Sequence, residues 1–105
     1  MVLSRVFPAP LERIGALLER QISDAPDWTL GPVEREQGRL QAQAHGGLGR
    51  APSQLNFSLT PEPGGHTRLQ VEVSARSRWT SASRCRRRIE TLLDTVAAAM
   101  ESSAP

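Results

Sequence analysis

Three stretches of this chain alternate between apolar and polar residues with a period of two. In "RLQAQAH", Leu40, Ala42 and Ala44 fall on one side and Arg39, Gln41, Gln43 and His45 on the other. "QLNFSL" places Leu55, Phe57 and Leu59 together, and "TRLQVEVSARS" does the same with Leu69, Val71, Val73 and Ala75. Successive side chains of a strand point to opposite faces, so each stretch predicts a strand with one dry and one wet face. A sheet built from such strands is antiparallel and covered on a single side. The dry side then needs a cover of some other secondary structure.

Two helical patterns provide that cover. In "PAPLERIGALLERQISDAP", Leu11, Ile14, Leu17, Leu18 and Ile22 recur at helical spacing, after a proline suited to a first helical position and before Pro26. The spacing predicts a helix over about residues 10–23. A second stripe of Cys85, Ile89, Leu92, Leu93, Val96 and Met100 predicts a helix from about Ser81 to Glu101. "VLSRVF" reads as a short opening strand, and "WTLGPVERE" as a strand that Gly31 and Pro32 mark as an edge or a bulge. "GGLGRAPS" and "PEPGGH" are connections, and short loops between the four middle strands favour a meander. The expected architecture is α+β: an antiparallel sheet of four to five strands with two helices on one face, in the order β-α-β-β-β-β-α. One domain spans residues 1–101, and 102–105 form a tail; 105 residues are too few for two cores.

All thirteen basic side chains are arginine, a habit of composition such as a high-GC bacterial genome would impose. Eleven carboxylates nearly balance them, leaving a net charge of +2. Non-specific nucleic-acid binding needs many neutralised phosphates, so only a local patch could support it. The patch is "SRCRRRIE", with Arg84, Arg86, Arg87 and Arg88 at a helix start, preceded by Arg76, Arg78 and Trp79. Four cations there oppose the helix dipole, and a bound anion or acidic partner would relieve the strain, assisted by amides near Thr80, Ser81 and Ser83. The competing reading is a solvated face paired with Glu90, Asp94 and the Glu12 or Glu19 side of the first helix. Trp28 and Trp79 pack at the core or rim, or contribute to an interface.

Other chemistries find little footing. The lone Cys85 excludes an intramolecular disulfide and a cysteine zinc site, and it falls on the apolar stripe of its helix. His45 and His66 have no third or fourth ligand at a metal-binding spacing. Glu34 and Glu36 share one face of a strand but sit beside Arg35 and Arg39 as surface charge. The glycines of "HGGLGR" lack the strand-loop-helix setting of a phosphate loop, although Leu48 at its tip could touch a partner. The expectation is a protein without enzymatic activity, cofactor or metal. No membrane span or signal peptide is readable, which places it in the cytoplasm.

The order of elements resembles the small helix-grip proteins, the domains of BamC-type outer-membrane assembly lipoproteins and the half-repeat of the TATA-binding protein. "FPAPLERIGALLE" is similar to the start of polyketide-cyclase-like helix-grip domains, and "TRLQVEVSARSRW" followed by "RRRIETLL" is similar to their last strand and final helix. The chain departs from that pattern in lacking the further strands and small helices that enclose a ligand cavity. It departs from the TATA-binding use of the fold as well, which relies on apolar wedges and basic residues on the open face. Here that face carries Arg39, Gln41, Gln43, Gln54, Asn56, Arg68 and Gln70.

Three functions stay open, in this order. The first is an interaction module that docks a protein or a second copy of itself, with the edge strand at residues 28–36 inviting pairing. The second is a carrier holding a small apolar ligand between sheet and last helix. The third is an anion- or nucleic-acid-binding protein acting through Arg76, Arg78, Arg84, Arg86, Arg87 and Arg88.

Overall fold

The structure, a computed structural model, describes residues 2–45, 51–76 and 81–102. Its elements are β1 (Val2–Phe7), α1 (Leu11–Asp24), β2 (Trp28–Glu34), a 3-10 turn (Arg35–Gln37), β3 (Arg39–Ala44), β4 (Ser53–Glu62), β5 (His66–Ala75) and α2 (Ala82–Ser102). The five strands form one antiparallel sheet in the order β1-β5-β4-β3-β2. Strands β2 to β5 are the expected meander. β1 closes the sheet by pairing with β5 from Val2↔Glu72 to Phe7↔Thr67, so β1 and β2 are the two edges.

The register carries the alternation across the whole sheet. Leu40 faces Phe57, which faces Val71, and Ala42 faces Leu55, giving continuous apolar rows on the inner side. Both helices pack there. Ile14, Leu18 and Ile22 of α1, and Cys85, Ile89, Leu92, Leu93, Val96 and Met100 of α2, join these rows in a single core. Of the two buried polar residues among those described, Ser53 and Thr67, the Thr67 hydroxyl donates to the Ala9 carbonyl at 2.7 Å, tying β5 to the entry of α1. At the far end of α1, the Ala25 amide closes on the carbonyls of Gln21 and Ile22.

The structure changes several expected boundaries. α2 runs to Ser102, whose hydroxyl donates to the Ala99 carbonyl, so the tail begins no earlier than residue 103. Glu36 leaves the strand for the 3-10 turn, so it does not share a strand face with Glu34. The predicted interruption of β2 is a register shift between Leu30 and Val33, around Gly31 and Pro32. Pro61 lies within β4, but β3 pairs no further along β4 than Ser58, so the missing N–H of the proline leaves no β3 ladder bond unmade.

Candidate functional site

The arginine-rich end is built by α2, the α1–β2 connection and the end of β3. Ser81 caps α2: its carbonyl accepts from the Cys85 amide at 3.0 Å and its hydroxyl from the Arg84 amide at 3.2 Å. That capping engages the Arg84 amide, one of the donors at the proposed anion site. Arg84, Arg86 and Arg87 are exposed, as is Arg76 just beyond β5. Arg78 and Trp79 lie outside the described residues, as do Thr80 and the glycines and Leu48 of "HGGLGR".

Arg88 differs from its neighbours. It is half-buried, it donates to the carbonyls of His45 at 2.7 Å and Asp27 at 3.2 Å, and it lies 5.7 Å from the centre of the Trp28 ring. Trp28 in turn meets Phe57 at 6.5 Å between ring centres. Arg88 is therefore a clamp that pins the start of α2 to the ends of β2 and β3, a correction to its reading as part of a free basic rim. Replacing Arg88 by alanine is expected to lower unfolding free energy by about 1–2 kcal/mol, through two lost charge-assisted bonds and the ring contact. Arg87→Ala, at an exposed position, is expected to change it by less than about 0.5 kcal/mol. Urea denaturation of the two variants measures the difference.

The carboxylates expected to neutralise the cluster are mostly engaged elsewhere. Arg86 does pair with Glu90 at 3.0 Å. Asp94, however, binds Arg5 of β1 at 2.9 Å, and Glu19 holds Arg35 through two bonds of 2.8 and 3.2 Å. That hydrogen bond and the nearby charge raise the Arg35 pKa further above its ordinary value. A cleft of about 400 Å³ opens between the end of α1 and α2, lined by Asp24, Asp27, Trp28, Arg87, Arg88 and Thr91 among others. Two carboxylates share it with two arginines, so it is no simple anion pocket.

Cys85 is buried at 3 % exposure, as its place on the apolar stripe predicts. Burial raises its thiol pKa, outweighing the charges of Arg76 and Arg88, which act in the other direction. A thiol held protonated is a poor nucleophile. The unfolded chain ionises its cysteine at lower pH than the folded one, so this group's stabilisation is complete below the unfolded pKa. It is lost as pH rises through the folded value. Stability is thus expected to fall above about pH 9, and a Cys85→Ala variant to lack that component of the slope in denaturation curves taken between neutral and alkaline pH.

The open sheet face is as expected. The register sets Arg39 opposite Ser58, Gln41 opposite Asn56, Gln43 opposite Gln54, and Asn56 in turn opposite Glu72, with Gln70 and Arg68 continuing the same side. Arg68 is bound by Glu62 and reaches Ser4. Val2, Ser4 and Val6 complete this face on β1, where Val2 and Val6 are 56 % and 45 % exposed. These valines were missed from the sequence, because "VLSRVF" alone does not say which of its faces is covered. A second, more apolar groove of about 310 Å³ lies beside α1, lined by Leu11, Gly15, Ala16, Val33, Leu40 and Leu59 with Glu19 and Arg35 at its margin.

Among the described residues no group of three or more histidines, cysteines or carboxylates gathers, and no helix is long and apolar enough to cross a membrane.

No protein-family model matches the chain, and no curated protein matches its sequence. Solved structures do resemble it. The crystal structure of protein MLL2253 from Mesorhizobium loti is 16% identical with a TM-score of 0.61, covering 100% of this chain and 98% of that one. TTHA0849 from Thermus thermophilus is 13% identical with a TM-score of 0.52, covering 99% of each chain. At such identities the likeness establishes the fold alone: the chain is a small α+β domain with a five-stranded antiparallel sheet and two helices.

Proposed function

We propose that this chain is a non-enzymatic interaction module of helix-grip-like architecture that docks a protein partner on the β1 edge of its sheet. The supporting observation is the contrast between the two edges. β2 is kinked by the shift around Gly31 and Pro32, a common guard against unwanted pairing. β1 has no bulge and no proline, and it exposes Val2 and Val6 beside its unpaired backbone. Arg5, the inward-pointing charge that could guard this edge, is neutralised by Asp94. Addition of a strand to an exposed edge is a recurrent mode of protein recognition. The buried, protonated thiol of Cys85 suits a reducing, cytoplasmic setting.

A photo-cross-linking residue at position 6, compared with one at position 56 in the middle of the open face and one at position 87, tests this in living cells. Protein adducts are expected at position 6. Adducts confined to position 87 would transfer the docking role to the arginine-rich end, and none at position 6 would remove the β1 reading.

A second reading, carriage of a small apolar ligand, is supported by the groove of about 310 Å³ beside α1. It lies on a different flank from the space between sheet and last helix. Native mass spectrometry of the protein as purified tests it: a mass above a whole number of chains that falls back on denaturation supports a retained ligand, and a clean chain mass opposes one.

A further inference from the structure

We propose that the partner received by β1 is a second copy of this chain, paired antiparallel about a two-fold axis at Ser4 to join two five-stranded sheets into one. This rests on the reading of β1 as the docking edge. The argument is one of symmetry and register. A two-fold axis normal to the sheet maps each edge strand onto its copy in antiparallel order and keeps both helix layers on the same side. The axis must then pass beside one residue, which faces itself.

Only a few centres give useful overlap on "VLSRVF". Centring on Arg5 sets each Val6 against a serine and leaves Val2 facing a position beyond the end of β1. Centring on Leu3 sets each Val2 against a serine and leaves Val6 facing a position beyond the range of β1. Centring on Ser4 sets Val2 opposite Val6 of the second copy at both ends of the joint, Ser4 against itself, and Leu3 against Arg5. Both exposed valines of each chain are then covered by apolar partners.

The flanking residues agree with this register. Val6 neighbours Arg68 and Val2 neighbours Glu72 on β5. Each outer row would therefore read arginine, valine, valine, glutamate across the two sheets, with opposite charges at its ends. The central row would be Gln70, Ser4, Ser4, Gln70, uncharged throughout. On the inner side, Arg5 stays bound to Asp94, so its charge is already compensated. A joint of about five residues per chain, Val2 to Val6, is small beside the ~1,200–2,000 Å² of stable interfaces, so the association is weak and needs high concentration.

The test combines sedimentation at up to about 0.5 mM protein, a range suited to weak interfaces, with cysteine cross-linking under copper-phenanthroline oxidation. Facing Cβ atoms in an antiparallel pair lie close enough for a disulfide after modest adjustment, and native Cys85 is buried. Ser4→Cys is expected to yield a covalent dimer. Val2→Cys mixed with Val6→Cys is expected to cross-link more than ten times as much as Val2→Cys alone. Val6→Lys is expected to sediment as a monomer with an unchanged thermal transition, and the Val2→Lys/Val6→Glu pair to recover association.

A monomer at every concentration without the position-4 cross-link overturns the proposal, as does a dimer indifferent to Val6→Lys or cross-linked in another register. Position-6 adducts to a different protein, from a chain that sediments as a monomer, overturn the dimer while leaving β1 as a docking edge. Absence of both adducts and self-association removes both readings.

Discussion

Phe57→Ala is expected to lower the unfolding free energy by about 3–5 kcal/mol, the largest effect of any single substitution considered for this chain. Phe57 is 1 % exposed in β4, the middle strand of the sheet, and it faces Leu40 on one side and Val71 on the other. Its ring also meets Trp28, which supports the Arg88 clamp at the start of α2. Truncation would leave a cavity between sheet and helices and loosen that clamp. Against a typical total of about 5–15 kcal/mol for a single domain, such a loss leaves little margin. Urea denaturation followed by circular dichroism checks it, and a fall below about 1 kcal/mol would mean that the core collapses around the gap more readily than its packing implies.

Gly38→Ala should come next, at about 2–4 kcal/mol. Gly38 links the 3-10 turn to β3 with φ at +66°, a conformation in which side chains are strained. A Cβ added there would lie 2.6 Å from the Leu59 carbonyl oxygen, and the Gly38 carbonyl itself accepts the Leu59 amide at 2.7 Å. Two effects are thus superimposed, dihedral strain and a clash with the neighbouring backbone. Gly65 separates them. Its φ is +76°, but an added Cβ meets nothing within 4 Å, so Gly65→Ala should cost only the dihedral part, about 1–2 kcal/mol. Asparagine at position 38 should recover little, because it tolerates the dihedral and keeps the clash. Equal losses at positions 38 and 65 would show that the Leu59 backbone yields freely.

The helical stripe of α2 was fully legible in the sequence: the residues read as core, Cys85, Ile89, Leu92, Leu93, Val96 and Met100, are the ones that α2 buries. In the strands the alternation told inside from outside along β3, β4 and β5, because a period of two is a local property of extended backbone. It faded only at the ends, where Leu59 and Val73 are half-buried and Ala75 is exposed. The candidate site was less legible. The arginine cluster stood out as a run of letters, yet Arg88 is set apart from Arg84, Arg86 and Arg87 by contacts with Asp27 and His45, which lie 61 and 43 residues away.

The sequence by itself determined the order of helices and strands and which side of α1, α2, β3, β4 and β5 is dry, since both follow from neighbours a few positions apart. Only the tertiary structure decided that β1 pairs with β5, some 60 to 70 residues along the chain. That pairing is non-local, and alternation is blind to it: a pattern names the face of a strand but not the strand beside it. The consequence reaches the proposed function, because the choice of neighbour makes β1 an edge that exposes Val2 and Val6.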